Sequence, residues 1–299
     1  MTNPRAIPIV PIVAAVLMFG SAFPATKVAL RSYSPGPLSL LRFAVASVAF
    51  GVVVALLRVP LPPRRELPRL IAVGLMLNTG YHILFSYGQR AISAGSASVL
   101  VNTGAIWTAL VAALVLNERP DRVLWLGLFL SFAGATLIAL GTGGHFRGGL
   151  GALLVLGAAA LQGSAFVMQK PLANKYNPIG VAAVTVWVGC VGLAVPFSRD
   201  VLAEVAAAPN SATLAIVYLG IASTIALASW AYVLSQMPAA QAGLFILLVP
   251  LVATIVAAIW LHEIPSWLTG LGGLLTLGGI FLAQWMRTKT RPAERLEPA

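Results

Sequence analysis

Ten stretches of apolar residues, none containing an acidic side chain, run through this chain at 8–29, 37–57, 70–89, 94–116, 123–140, 149–169, 178–198, 212–234, 239–261 and 267–286. Each is close to the ~20 residues that a helix needs to cross a ~30 Å hydrocarbon core. Lipid offers backbone N–H and C=O groups no partner, so such a run closes its hydrogen bonds within itself, as a helix. The period-two alternation of a membrane β-barrel is missing from all ten. Only 9% of the 299 residues are charged, against about a quarter in a soluble domain. The expected fold is therefore all-α and integral to a membrane, with ten transmembrane helices. The first run exceeds the roughly 7–15 apolar residues of a signal peptide and reads as helix one. The longest connections, 57–69 and 199–211, leave no room for a soluble domain.

A net charge of +11 invites a nucleic-acid partner, but the basic residues cluster at helix ends and exclude one. With the N-terminus cytoplasmic, thirteen fall on the cytoplasmic side: Arg5, Arg58, Arg64, Arg65, Arg69, Arg119, Arg122, Lys170, Lys175, Arg287, Lys289, Arg291 and Arg295. Six fall on or near the other: Lys27, Arg31, Arg42, Arg90, Arg147 and Arg199. That bias puts both termini in the cytoplasm, in a multi-pass protein of the cell (inner) membrane. Cys190 lies in helix seven and carries no redox information.

The chain contains a duplication. Gly20-Ser21-Ala22-Phe23 with Lys27 recurs as Gly163-Ser164-Ala165-Phe166 with Lys170, and Tyr33 and Pro35 fall on Tyr176 and Pro178 at the same offset of 143. Asn117-Glu118-Arg119-Pro120 matches His262-Glu263-Ile264-Pro265 at an offset of 145, as do Gly127, Ser131 and Gly134 with Gly272, Thr276 and Gly279. Residues 1–142 and 143–287 therefore form two five-helix repeats, followed by a tail, 288–299. An odd number of helices makes the second copy enter the membrane inverted. Inverted repeats are the architecture of many secondary transporters, with a solute site near midplane.

The paired Glu-x-Pro motifs, Glu118-Arg119-Pro120 and Glu263-Ile264-Pro265, each precede a Gly-rich helix, and each half opens with a GSAF-type helix. This order resembles the drug/metabolite transporter superfamily, in its ten-helix branch with two EamA-type repeats, over essentially the whole chain. Within it the chain is similar to bacterial exporters of amino acids, including aromatic ones, which implies export of a small metabolite, no cofactor and no catalytic residue. The family often places a proline before each Glu motif; here the second half has Pro250 and the first has Ala105.

The acidic residues are Glu66, Glu118, Asp121, Asp200, Glu204, Glu263, Glu294 and Glu297, none in the middle of a helix. A proton-coupled exporter of cations needs a buried carboxylate, so the residues favour zwitterionic or neutral solutes, possibly uncoupled. Helix three has the richest polar face: Asn78, Tyr81, His82, Phe85 and Gln89, at spacings of 3, 4, 7 and 11. Two readings stay open, a mostly apolar pocket with a few directed polar groups, or hydrogen bonds between helices at about 0.6 kcal/mol each. His82 is read as the one ionisable side chain near mid-membrane, either titrating or simply hydrogen-bonded. Ser98 and Asn102 on helix four, Trp107, Gln162 and Phe166 on helices four and six, and Ser223 and Trp230 on helix eight are further candidates for the cavity or for helix contacts. Trp125, Trp260, Trp267 and Trp285 read as interface anchors, and Trp187 as peripheral.

Pro24 and Pro250 interrupt helices one and nine, as hinges or as static kinks. The stripes Gly127-Ser131-Gly134 and Gly272-Thr276-Gly279 let a helix approach closely, as scaffold or as a homodimer contact. Glu118 and Glu263 are expected to cap the helices that follow them. An intramembrane enzyme is the rival class, yet His82, His145 and His262 are scattered, and neither an H-E-x-x-H motif nor any metal-ligand cluster is present. A flippase for lipid head groups, or an exporter of another metabolite or drug, remains the alternative.

Overall fold

The computed structural model describes residues 7–91, 100–141, 149–261 and 266–289, all helix, turn or short connection. Its helices are α1 (Ile9–Ala29), α2 (Pro35–Leu56), α3 (Leu67–Gly74), α4 (Tyr81–Ala91), α5 (Gly104–Val115), α6 (Arg122–Gly141), α7 (Leu150–Lys175), α8 (Pro178–Ala207), α9 (Asn210–Gln236), α10 (Ala239–Ile246), α11 (Val249–Leu261) and α12 (Trp267–Lys289). Eight helices among the described residues are long and apolar enough to cross a membrane, and two shorter apolar segments, Leu100–Val115 and Trp267–Ala283, accompany them. The outer faces carry exposed side chains such as Val48, Leu114, Val195 and Leu274, the inverse of a soluble surface.

Sequential neighbours do not simply pair. α1 lies between α9 and α11, α2 between α8 and α9, and α7 touches α4 and α5, while α6 packs on α12. The α6–α12 seam explains the matched small residues. A Cβ built on Gly134 would stand 2.5 Å from the amide of Thr276, and one on Gly272 would stand 2.6 Å from the carbonyl of Gly134. Gly127 and Gly279 oppose each other in the same way. Between them Ser131 donates to the Thr276 carbonyl at 3.1 Å and Thr276 donates to Gly272 at 2.9 Å. These glycines pack against each other within one chain, the scaffold alternative of the two readings.

Three interruptions lie in the interior. The chain from Leu67 to Ala91 contains one π-helical turn, Leu75–Gly80, which seats Asn78 and Thr79 against α8. Asn78 donates to the Thr185 carbonyl at 2.9 Å and Thr79 to that of Gly189 at 3.1 Å. The second lies at Thr103, whose hydroxyl and amide both bond the Leu100 carbonyl before α5 begins at Gly104. The third separates α10 from α11, where Leu247 and Leu248 bond back three residues and Pro250 offers no N–H to Ile246. At the offset of 145 these last two breaks coincide, so the half that has Ala105 in place of proline breaks its helix as well. Pro24, expected to interrupt helix one, does not: α1 runs through it unbroken. The helix is held from outside there, between α9 and α11, and Tyr218 donates to Ser21 at 2.7 Å.

Polar ties close the ends. At one end Glu204 accepts from the amide and hydroxyl of Ser34 at 2.9 and 2.6 Å. At the other, Tyr176 donates to Glu66 at 2.8 Å, with Lys175 and Arg69 beside the same carboxylate. Glu118 does not cap the helix that follows it. Its two oxygens accept from the amides of Ala239 and Ala240, at 2.9 and 3.1 Å, and so cap α10 instead. Asn117 has left-handed backbone (φ 52°), which redirects the chain, and Asp121 takes the α6 cap through Leu124 at 2.7 Å. Lys170 lies 3.9 Å from Glu118 and donates to the carbonyls of Leu234 and Met237, tying α7 to the end of α9. Glu263 falls outside the described residues.

Replacing Gly134 by Leu is expected to lower the stability of the purified protein in detergent by about 3 kcal/mol, the upper range for overpacking, because backbone rather than a movable side chain stands in the way. Gly278→Leu, on the partner helix α12 with nothing within 4 Å, is expected to melt like the parent. Equal melting of the two variants would remove the seam from its structural role.

Candidate functional site

Two groups of side chains lie along α9. Ser223 is the midpoint of that helix, Asn210–Gln236, and is 1% exposed. Its hydroxyl donates to Leu219 and accepts from Nε of Arg42 on α2, both at 2.6 Å. Arg42 is half-buried, and no carboxylate among the described residues pairs with it. Phe43, the next residue on α2, brings in Tyr81 and His82 of α4. The His82 ring meets Phe43 edge-on at 4.8 Å and Tyr81 at 4.9 Å, and Tyr81 stacks on Phe85 at 5.7 Å. The first group is thus a cation set among a hydroxyl, an imidazole and aromatic faces.

The second group lies seven residues further along α9, a rise of about 10 Å. Trp230 is 1% exposed, with Phe166 of α7 at 5.3 Å and Phe19 of α1 at 6.4 Å between ring centroids. Its indole N–H has no hydrogen-bond partner; with the hydroxyl of Ser47 it is one of two such buried side-chain atoms among the described residues. A buried unmade hydrogen bond costs about 1–3 kcal/mol.

The remaining candidates divide. Asn78 is 1% exposed and bonded to α8, so it belongs to helix contact. The wider π turn just before Tyr81 shifts the register, which is why a stripe drawn at α-helical spacing assigned it to the His82 face. Asn102 is buried. Gln162 is half-buried with its amide oxygen beside Gly104. Trp107 is 40% exposed and makes no ring contact with Trp230. Trp187 donates to the Ser47 carbonyl at 3.0 Å and joins a buried cluster between α2 and α8, so it is not peripheral. Ser98 lies outside the described residues, as does the side chain of Gln89. Among the described residues no group of His, Cys, Asp and Glu is placed to hold a metal.

Arg42, Phe43 and Phe19 are the contributors that sequence reasoning missed. The signal for Arg42 was available: it is an arginine six residues inside an acid-free run, where ionisable groups are costly and usually functional. A pocket at the Ser34 end, lined by Ser34, Pro35, Gly36, Pro37, Ser86, Tyr87, Pro196 and Phe197, opens two helical turns from Arg42 along α2 and one from His82 along α4. A second, lined by Glu118, Arg119, Pro120, Leu124, Pro238 and Ala240, lies at the opposite end.

A family model described as the EamA-like transporter family matches the chain twice, over residues 6–140 and 149–285. A "Probable terminal-alkyne amino-acid exporter" of Streptantibioticus cattleyicolor is 36% identical over 288 residues, covering 96% of each chain. An uncharacterised transporter of Bacillus subtilis is 36% identical over 264 residues, 88% of this chain and 86% of that one. A "Probable amino-acid metabolite efflux pump" of Escherichia coli is 25% identical over 279 residues, 89% and 91% of the two chains. One solved crystal structure superposes with a TM-score of 0.77 at 18% identity, over 95% of this chain and 99% of that one, a likeness of fold alone. Helices of membrane-crossing length, a polar site inside them and a family model that matches both halves agree: this multi-pass membrane protein belongs to the EamA-like transporter family.

Proposed function

We propose that this protein exports small metabolites, with aromatic and neutral amino acids favoured, by alternating access through the centre of two inverted five-helix repeats in the cell (inner) membrane. Both termini lie in the cytoplasm in this reading. The observation that carries it is the buried, unpartnered indole of Trp230 between Phe19 and Phe166. An aromatic side chain packs there against ring faces and edges, and a polar atom of the solute completes the N–H.

Two relatives bear amino-acid exporter or efflux names, which supports the substrate class. The double match of the family model and the breaks at Thr103 and Leu247 support two comparable halves that bend at matched points. Pro250 serves as hinge for one half; Pro24, inside an unbroken α1, serves less as hinge than as a freed carbonyl. No acidic residue lies in mid-helix, so the cycle runs as facilitated flux, down the solute gradient and without a proton carrier of the carboxylate kind.

Proteoliposomes carrying only this protein are expected to take up radiolabelled phenylalanine saturably with no pH gradient; no uptake of any amino acid would sink the substrate class. Trp230→Phe, which keeps the ring and removes the N–H, is expected to raise the half-saturation concentration about fivefold, the worth of one net hydrogen bond. His82→Ala is expected to lower flux without loss of expression, and normal flux in both variants would show that the site is misplaced. Pro250→Ala restores an N–H to Ile246 and is expected to lower maximal flux while leaving half-saturation unchanged. A rise in half-saturation instead would make Pro250 part of the binding surface rather than a hinge.

A further inference from the structure

We infer that Arg42 is the counter-ion for a carboxylate carried by the transported solute, with Ser223, Tyr81 and His82 forming the rest of a carboxylate subsite. The inference rests on the transport reading for its physiological use, but the binding chemistry stands on the geometry alone.

A guanidinium has five N–H donors in a fixed planar fork. The Nε–H is committed to Ser223, and no acceptor among the described residues meets the two terminal amino groups. Ser223 is itself anchored to Leu219, so the fork is held in one orientation rather than free to turn. A terminal edge of guanidinium matches the two oxygens of a carboxylate.

The charge balance selects the same partner. A cation within the span of α2 is expensive in lipid and is tolerated when it meets an opposite charge or lines a path for one. Among the described residues no carboxylate supplies that charge: those near the spans are committed elsewhere, Glu66 to Tyr176, Glu118 to α10 and Glu204 to Ser34. One fixed positive charge matches one carboxylate, whereas a doubly charged phosphate would leave an uncompensated negative charge in the bundle. The surroundings agree, since Phe43, next to Arg42 in sequence, meets the ring of His82, while Tyr81 stacks on Phe85, and the pocket at the Ser34 end lies two helical turns from Arg42 along α2. The subsite lies about 10 Å along α9 from Trp230, so a solute bound at both has its acid end and its apolar end separated along the helix. Loading a carboxylate there removes the isolated charge from the bundle, so the occupied carrier is better suited to change conformation than the empty one.

The test uses purified full-length protein in detergent, with phenylacetate and its neutral isostere phenylacetamide as probes, read by melting temperature and by tryptophan fluorescence. Phenylacetate is expected to raise the melting temperature of the parent and phenylacetamide to leave it unchanged. In Arg42→Gln, checked for folding by its elution profile, the affinity for phenylacetate is expected to fall on the order of thirtyfold or more, as for a truncated buried charge pair. Arg42→Lys keeps the charge without the fork and is expected to retain a weakened response, which keeps the test available should the glutamine variant not fold. Equal shifts from acid and amide would overturn the assignment, as would parental affinity in Arg42→Gln, or in Arg42→Lys where that alone folds. A stronger response to inorganic phosphate than to phenylacetate would overturn it too. Phenylacetate binding that depends on Arg42, alongside absent amino-acid flux, would sink the amino-acid reading and leave this one standing. Phenylalanine flux unchanged by Arg42→Gln would do the reverse.

Discussion

A backbone amide or carbonyl without a partner costs several kcal/mol in hydrocarbon, and the architecture follows from where this chain departs from the uninterrupted helix that satisfies them all. Each interior departure has its own repair. The π turn at Leu75–Gly80 is seated by the side chains of Asn78 and Thr79 on α8. The break before α5 is closed by the Thr103 hydroxyl. The break before α11 is left partly open, because Pro250 has no N–H to offer Ile246. All three border the helices that carry the candidate site, and none interrupts α6, which with α12 forms the tight glycine seam. The same chain is therefore packed without interruption along the α6–α12 face and broken along the other.

The electrostatics follow the same division. Carboxylates stand at the ends, each holding two segments together: Glu204 binds the start of α2, Glu66 binds Tyr176, and Glu118 reaches from beyond α5 to α10. These ties cross between parts of the chain more than one hundred residues apart. A carboxylate at a helix start gains both a hydrogen bond and the favourable end of the macrodipole, a contribution that water screens only partly at the membrane boundary. Within the bundle the sign is reversed, with Arg42 and no acid among the described residues to meet it. If Arg42 is the proposed carboxylate subsite, a fixed cation there would favour an anion over an organic cation without any titration.

What could be read from the residues was what depends on composition and matched spacing. The helical membrane class followed from acid-free runs of the right length, and the Gly127 and Gly272 stripes pointed to close approach because small residues at helical spacing admit a backbone. What was misread depends on geometry that spacing does not encode. Glu118 and Asp121 are equally plausible caps in sequence, and the left-handed turn at Asn117 decides between them. Asn78 lay on the His82 face only under uniform α-helical spacing, which the π turn removes. Arg42 was assigned to a helix end by its distance from the boundary, yet a long side chain can run inward as readily as it snorkels outward, and its hydrogen bond to the midpoint of α9 shows which way it runs.

The two halves repair their matched breaks differently, and the difference has a physical consequence. Thr103 satisfies its turn with a side-chain hydroxyl that moves with the backbone, so the break before α5 can straighten and regain a helical bond as the hydroxyl rotates away. Pro250 cannot regain a bond it has no hydrogen to make, so the break before α11 persists at every angle. One break is then a switch between two satisfied states, and the other a joint with no preferred satisfied state. They meet in space, since α10 packs on α5 with Gly243 against Ala105 and Thr108. In the proposed cycle that contact would pass a straightening of the first on to the second, which has no helical bond at Pro250 to lose. In the proposed alternating-access cycle this difference would make the step asymmetric even where the surrounding folds are alike, its energy set by the half without the proline and its range by the half that has one.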